Sequence, residues 1–271
     1  MRVRWLLLPV VSTALAVSLV LLAGCDFSTE WDEPGPRSAP REEAEVAPEP
    51  EPEPPPRPSW RTVDRNALAA SLGWGEVTSG NKAGVKIALT FDAGSGGEPV
   101  PAILDALKAA GIHSTFFLTG QFADTYPDIV KRIAGEGHEL GNHSYTHPRF
   151  TTITPEEARS QVERTEARVL ELTGLSTKPY FRFPYGSSNT ALVKQLNDMG
   201  YLSVFWTLDT LDWEPGITPE QIIARVSRAG PGTIVLMHCG SAREAQALPV
   251  VIGNLRAAGY EPVTLTEALS P

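Results

Sequence analysis

Val85-Lys86-Ile87-Ala88-Leu89-Thr90-Phe91 is the stretch on which the fold turns. Five of its seven residues are apolar and it contains no glycine or proline, so it reads as a buried strand. Apolar residues then recur at Ile103, Leu104 and Leu107 within Val100–Ala110, a helical spacing that stops at Gly111. The same rhythm runs outward along the chain. Ser114–Leu118 is the next expected strand, Asp128–Ala134 lies in the next helix, and His138–Asn142 is a short third strand. Thr154-Pro155-Glu156-Glu157 is a capping box with proline at the first helical position, opening a long amphipathic helix that ends at Gly174. Tyr180–Phe183, Tyr201–Trp206, Thr233–Met237 and Pro262–Leu265 complete the expected strands. Helices are expected over Thr190–Met199, from the capping box at Thr218 to Ala229, and over Glu244–Ala258.

Seven strands alternating with six helices indicate a parallel sheet, and both an open doubly wound sheet and a closed barrel fit that count. Polar residues at strand ends decide between them. Asp92 follows the first strand, His143 the third, Arg182 and Tyr185 the fourth, Asp209 and Asp212 the fifth, and His238 the sixth. Functional groups arriving from the C-terminal ends of many strands are what a (β/α) barrel offers. An open sheet gathers its site mainly at one switch point. The expected fold is therefore α/β, an irregular barrel of about seven parallel strands.

Upstream of the barrel the composition changes twice. Residues 1–25 read as an export signal, with Arg2 and Arg4 before an apolar run from Trp5 to Ala23. The run closes in Leu22-Ala23-Gly24-Cys25, which resembles the lipobox of bacterial lipoproteins and implies a lipid on Cys25. An uncleaved transmembrane helix is the alternative. Either reading places the remainder outside the cytoplasm, attached to a membrane. Residues 26–58 hold 10 of the 24 prolines with ten acidic and three basic residues, a net charge of −7. Such a segment cannot pack a core and reads as a disordered, extended tether. At about 3.1 Å per residue it would reach roughly 100 Å. Residues 59–84 are a lead-in, and residues 85–271 form the barrel domain. Over 59–271 the charge is near −4, from 18 basic and 22 acidic residues, with no basic stripe of the kind a nucleic acid needs. Nothing in the sequence points to a protein partner. With Cys25 acylated, Cys239 has no disulfide partner and reads as a packing residue.

Two of the five histidines stand four residues apart in His143-Ser144-Tyr145-Thr146-His147. On a helical turn that spacing brings both imidazoles to one face, where they can ligate a metal. The pair has company in a fixed order: Thr90-Phe91-Asp92-Ala93-Gly94, Arg182-Phe183-Pro184-Tyr185-Gly186, Asp209-Thr210-Leu211-Asp212-Trp213 and Leu236-Met237-His238. The series resembles the five motifs of the NodB-homology polysaccharide deacetylases, carbohydrate esterase family 4, from about Lys86 to Leu269. The resemblance implies a distorted (β/α) barrel and hydrolysis of the N-acetyl amide of an amino-sugar polymer, such as cell-wall peptidoglycan or a chitin-like glycan. It also implies a divalent metal on His143 and His147, zinc first, with cobalt, manganese or nickel as alternatives. It makes Asp92 the general base, Arg182 its partner and the Tyr185 amide an oxyanion donor. His238 becomes the general acid held by Asp212, with Trp213 and Leu236 lining the acetyl pocket. His113 and His138 fall near strand starts and are expected to be structural.

One position departs from the family pattern. Where the pattern has a second aspartate completing the metal triad, this chain has Ala93, which carries no donor atom. Catalytic zinc normally takes three protein ligands. Two carboxylates are candidates for the third ligand: Asp92 itself, which would leave the base role shared or displaced, and Glu98, which the flexible glycine-rich loop Gly94–Gly97 could bring near. The remaining alternative is a catalytically impaired module that binds wall glycan.

Overall fold

The computed structural model describes residues 58–271. The export signal, Cys25 and all but the last residue of the expected tether lie outside the described residues. No helix among the described residues is long and apolar enough to cross a membrane.

Nine strands form one sheet: β1 (Glu76–Val77), β2 (Lys86–Ala93), β3 (Thr115–Leu118), β4 (Glu139–Asn142), β5 (Tyr180–Phe181), β6 (Leu202–Val204), β7 (Leu208–Asp209), β8 (Ile234–His238) and β9 (Glu261–Val263). Every pairing is parallel, and the order is β1-β6-β5-β4-β3-β2-β8-β7. Ala88 pairs with Ile234 and with Val263, so β9 occupies the β2 edge opposite β8, below the start of β3. The sheet curls without pairing β1 to β7, which makes it a distorted, open barrel, as the sequence indicates. The helices are α1 (Arg65–Ser71), α2 (Val100–Ala110), α3 (Gly120–Thr125), α4 (Pro127–Gly135), α5 (Pro155–Thr173), α6 (Thr190–Asp198), α7 (Pro219–Val226), α8 (Ala242–Ala257) and α9 (Leu265–Leu269).

The alternation along β2 sorts its side chains. Ile87, Leu89, Phe91 and Ala93 enter the main core with Ile103, Leu104 and Leu107 of α2 and Leu248 and Val251 of α8. Ala88 joins a second cluster with Phe117, Tyr180, Leu202 and Ile234, which α1 and α9 cover. Thr90 and Asp92 share the Ala88 phase, so Asp92 is carried to the inner side at the strand's C-terminal end. The opposite end is shut by a polar cluster. Glu139 is fully buried, with Thr115 Oγ1 donating at 2.7 Å and Thr266 N at 3.1 Å, and with the Arg65 guanidinium as an ion partner 3.7 Å away.

Three expected elements differ. The expected strand Tyr201–Trp206 ends at Val204; the chain then leaves the β6 edge and pairs as β7 with β8, across the opening of the barrel. The fourth strand stops at Phe181, because Pro184–Gly186 is a tight turn with Tyr185 at φ 59°. The last strand stops at Val263, because Thr264 and Glu267 form a capping box that starts α9.

Candidate active site

The polar strand-end residues named from sequence meet at the C-terminal rim. Asp92 Oδ1 accepts from Arg182 Nη1 at 2.8 Å, and both residues are buried. Arg182 is held from three further sides. Its Nε and Nη2 donate to the carbonyls of Val204 (3.4 Å) and Phe205 (3.3 Å), and its guanidinium lies 4.2 Å from the Phe117 ring centroid. Burial on its own would raise the Asp92 carboxyl. The Arg182 guanidinium, with His143 and His238, overrides that and holds it below the usual carboxylate range.

His143 and His147 do face one another, but on a loop and not on a helix. Ser144 and His147 have φ of 67° and 58°, a left-handed backbone that no helix contains. The loop is imposed by side chains. Asn142 Oδ1 accepts the Ser144 amide (3.0 Å), and Ser144 Oγ accepts that of His147 (3.1 Å). Gln161 Oε1, on α5, accepts the amides of both Tyr145 (2.9 Å) and Thr146 (2.8 Å). His143 Nδ1 lies 2.8 Å from the Arg182 carbonyl, a pure acceptor. Nδ1 therefore carries the proton, and Nε2 presents its lone pair. That Nε2 is 3.1 Å from His147 Nε2 and 3.4 Å from Asp92 Oδ2. Burial pushes both imidazoles down, His147 to about 4 with help from His143, so both are neutral near pH 7.

Two neutral imidazoles with converging nitrogens suit a divalent ion, and 3.1 Å and 3.4 Å are close to the edge of a tetrahedron of zinc ligands, about 3.3 Å for bonds near 2.0 Å. Beyond that pair the donor set is incomplete. Among the described residues no three His, Cys, Asp or Glu side chains form a ready metal-binding group. Ala93 is fully buried in the main core. Glu98 is exposed, its carboxylate turned back toward Gly96. Asp92 is the carboxylate that stands beside His143.

The second half of the site is an acid pair. Asp212 Oδ1 is 2.7 Å from His238 Nδ1, and its Oδ2 accepts the His238 amide at 2.8 Å. Burial pulls the imidazole down, but the hydrogen bond and charge of Asp212 prevail and raise it. Leu211, at φ 59°, makes the turn that aims Asp212 inward, and its amide donates to Asp209 Oδ1 at 2.8 Å. Leu236 is buried two residues below His238 on the same face of β8. Tyr185 and Trp213 are the exposed aromatics of the rim, 61% and 56% accessible. The Tyr185 ring packs edge-on against His147 with centroids 4.6 Å apart, and Arg149 stands 4.9 Å over it. Cys239 is buried, its thiol pushed well up by burial, and its amide donates to the Asp92 carbonyl (2.9 Å). A nucleophile would need the opposite shift. His138 and His113 sit at the far end of the barrel strands, His138 Nδ1 accepting from the Ser114 amide at 3.1 Å.

Asn142 and Gln161 escaped the sequence reading, although Asn142 adjoins the histidine motif. Gln161 lies in the second turn of α5, where spacing cannot reveal that a side chain holds a distant loop.

The polysaccharide deacetylase family model matches residues 79–204. A Bacillus cereus peptidoglycan-N-acetylglucosamine deacetylase is 38% identical over 190 residues, 68% of each chain. The chain belongs to the polysaccharide deacetylase family. The Bacillus subtilis peptidoglycan-N-acetylmuramic acid deacetylase PdaA is 35% identical over 184 residues, covering 67% of this chain and 70% of that one. Among solved structures, a carbohydrate esterase family 4 pseudoenzyme from Bacillus anthracis is similar with a TM-score of 0.69 and 34% identity, over 72% of this chain and 69% of that one. A mutant of that pseudoenzyme with restored enzymatic activity gives the same TM-score. Membership puts the chain among hydrolases that remove acetyl groups from polysaccharides, the class its motifs imply.

Proposed function

We propose that this deacetylase-family chain is a metal-dependent peptidoglycan N-deacetylase held outside a membrane by a lipid on Cys25. The observation that carries the reading is the meeting, at one rim, of an ion-paired carboxylate (Asp92–Arg182), a pair of neutral imidazoles and a carboxylate-bound imidazole (Asp212–His238). Amide hydrolysis needs those three things: a base for the water, a Lewis-acid or hydrogen-bond site for the carbonyl, and an acid for the amine. A divalent ion held by His143 and His147, with Asp92 beside them, would polarise the acetyl carbonyl and acidify the attacking water. Asp92 takes a proton from that water. The Tyr185 amide shares the oxyanion. His238 gives its Nε2 proton to the leaving nitrogen while Asp212 steadies the imidazolium through Nδ1. Trp213 and Leu236 bound the acetyl methyl. The wall glycan is favoured because the expected anchor and acidic tether face that layer, and because relatives named for two different peptidoglycan sugars lie at 38% and 35% identity.

Acetate release from purified peptidoglycan and from N-acetylglucosamine oligomers tests the reading. Activity lost on chelation, restored by zinc, cobalt, manganese or nickel, and missing from His143→Ala is expected. No acetate from either polymer with each metal supplied would sink it. Membrane attachment is tested separately: Cys25→Ala should release the protein from the membrane fraction.

A second reading is a non-catalytic glycan-binding module, favoured by Ala93 and by the similarity to a pseudoenzyme. It predicts glycan binding that needs no metal and survives Asp92→Asn.

A further inference from the structure

Glu244 is a fully buried carboxyl near the rim that the proposed chemistry leaves unused. It occupies the first turn of α8, its amide donating to the N-cap Ser241 Oγ at 3.2 Å, and it is 0% accessible. Ser241 Oγ also lies 3.2 Å from the Asp212 carbonyl, so one hydroxyl ties the start of α8 to the acid pair. Neither carboxyl oxygen of Glu244 has a hydrogen-bond partner in the protein. The charged group that acts on it is Asp212, from the loop after β7, and the Cys239 thiol at the end of β8 also feels it. The Thr210 hydroxyl beside it donates instead to the Leu236 carbonyl, 2.9 Å away. Burial, then Asp212, push the Glu244 carboxyl well up.

Two carboxylates enclosed together cannot both ionise. Asp212 has the claim to the charge, because both of its oxygens are bonded to His238. Glu244 is then the member that keeps its proton. Packing alone gives no reason for an acid at this position. Leucine has a similar volume, leaves no unpaired oxygens and costs no polar desolvation. What leucine lacks is an O–H dipole, and the anion that orients such a dipole here is Asp212.

We propose that Glu244 is a positioning residue for the acid pair, a neutral carboxylic acid enclosed between α8 and the Thr210–Asp212 loop whose O–H is directed at Asp212 and keeps that carboxylate turned to His238. In its kinetic readout this rests on the deacetylase reading; in its spectroscopic readouts it does not.

The test uses the whole chain with Glu244→Gln, a neutral hydrogen-bond donor of the same shape, and Glu244→Leu. Three measurements apply. The infrared difference spectrum between wild type and Glu244→Gln should show the carbonyl band of a protonated acid. The low-field proton signal of His238 Nδ1–H should persist in the glutamine variant and vanish or broaden in the leucine variant. Turnover should fall about tenfold in Glu244→Leu, as for other outer partners of a site, with KM unchanged and thermal stability equal or higher. Glutamine should restore turnover to within about twofold. A missing acid band overturns the proposal. So does a leucine variant that keeps both the Nδ1–H signal and turnover, which would make the residue structural only. A glutamine variant that loses as much as leucine overturns it too. Should the leucine variant fail to fold, the acid band and the glutamine variant decide between them. If wild type releases no acetate, the deacetylase reading fails while the two spectra still judge Glu244.

Discussion

At the scale of single residues the site is a set of buried charges that exist only as partners. Asp92 and Arg182 are both enclosed, and neither has a second ion of opposite sign at salt-bridge distance apart from His143, which is neutral near pH 7. Removing one partner therefore strands the other. Asp92→Asn should lower unfolding stability by about 3 kcal/mol in urea titration, since it leaves Arg182 buried and uncompensated. It should also reduce acetate release by at least about a hundredfold, through loss of the base. The two losses separate in a second variant. Asp92→Asn combined with Arg182→Met should recover most of the stability, because no unpaired charge remains, and none of the activity. Recovery of activity in the double variant would remove Asp92 from the chemistry. The same logic explains why a histidine pair, weak as a sequence signal, gains meaning from its neighbours. The Arg182 carbonyl fixes the His143 tautomer while the Arg182 side chain fixes Asp92, so one residue orients both the base and a candidate ligand.

Elements decide how those residues are aimed, and here the helix behind the histidine loop matters most. Gln161, in the second turn of α5, is the acceptor for two consecutive loop amides and donates to Thr146 Oγ1 at 2.9 Å. Gln161→Ala should cost about 1 kcal/mol of stability for the amides left without an acceptor. Zinc affinity, followed by calorimetric titration, should fall about tenfold, because the His147 backbone would no longer be held in its left-handed turn. Unchanged affinity would mean that Asn142 and Ser144 suffice to shape the loop. Elements with strong periods were legible in the sequence. The capping boxes at Thr154 and Thr218 both form with both of their hydrogen bonds, and β2 and α2 stand where the apolar spacing places them. The omissions have physical reasons. β1 and β7 are two residues each and have no period to detect, and they exist because a neighbouring strand offers an edge. α3 is six residues long and begins with glycine, so no propensity marks it; the Thr119 cap does. α9 carried a legible capping box, Thr264 to Glu267, that was absorbed into an expected strand. The candidate site was legible where a charged residue ends or follows a strand, as at Asp92, Arg182 and His238, or lies in the loop just beyond one, as at Asp212. It was not legible where function depends on a side chain reaching across elements, as with Gln161 and Glu244.

Over the whole molecule the two ends of the barrel respond to acid in the same direction. At the rim, the Asp92 carboxyl is held below its ordinary range, so its contribution is present at neutral pH and is lost as pH falls through its lowered value. At the far end, burial, with His113 and Arg132 adding to it, pulls His138 from 6.5 to about 3. His138 is 2% accessible, accepts a backbone hydrogen bond through Nδ1, and packs 5.0 Å from the Phe116 ring, so the native state keeps it neutral. The sign follows from proton counts. Between pH 6.5 and about 3 the unfolded chain binds a proton at this residue and the native state does not, so stability rises with pH across that window. At pH 5 the difference amounts to about 2 kcal/mol from this residue. Urea unfolding at pH 7 and pH 5 measures it directly. His138→Gln should be less stable than wild type at pH 7, having lost ring packing, yet its loss between pH 7 and pH 5 should be smaller by about 2 kcal/mol. An equal loss in both proteins would mean that protonated His138 is tolerated inside the fold. The acid sensitivity would then belong to the rim, where His147, lowered to about 4 chiefly by burial, is a second imidazole that the unfolded chain protonates in this window and the native state does not.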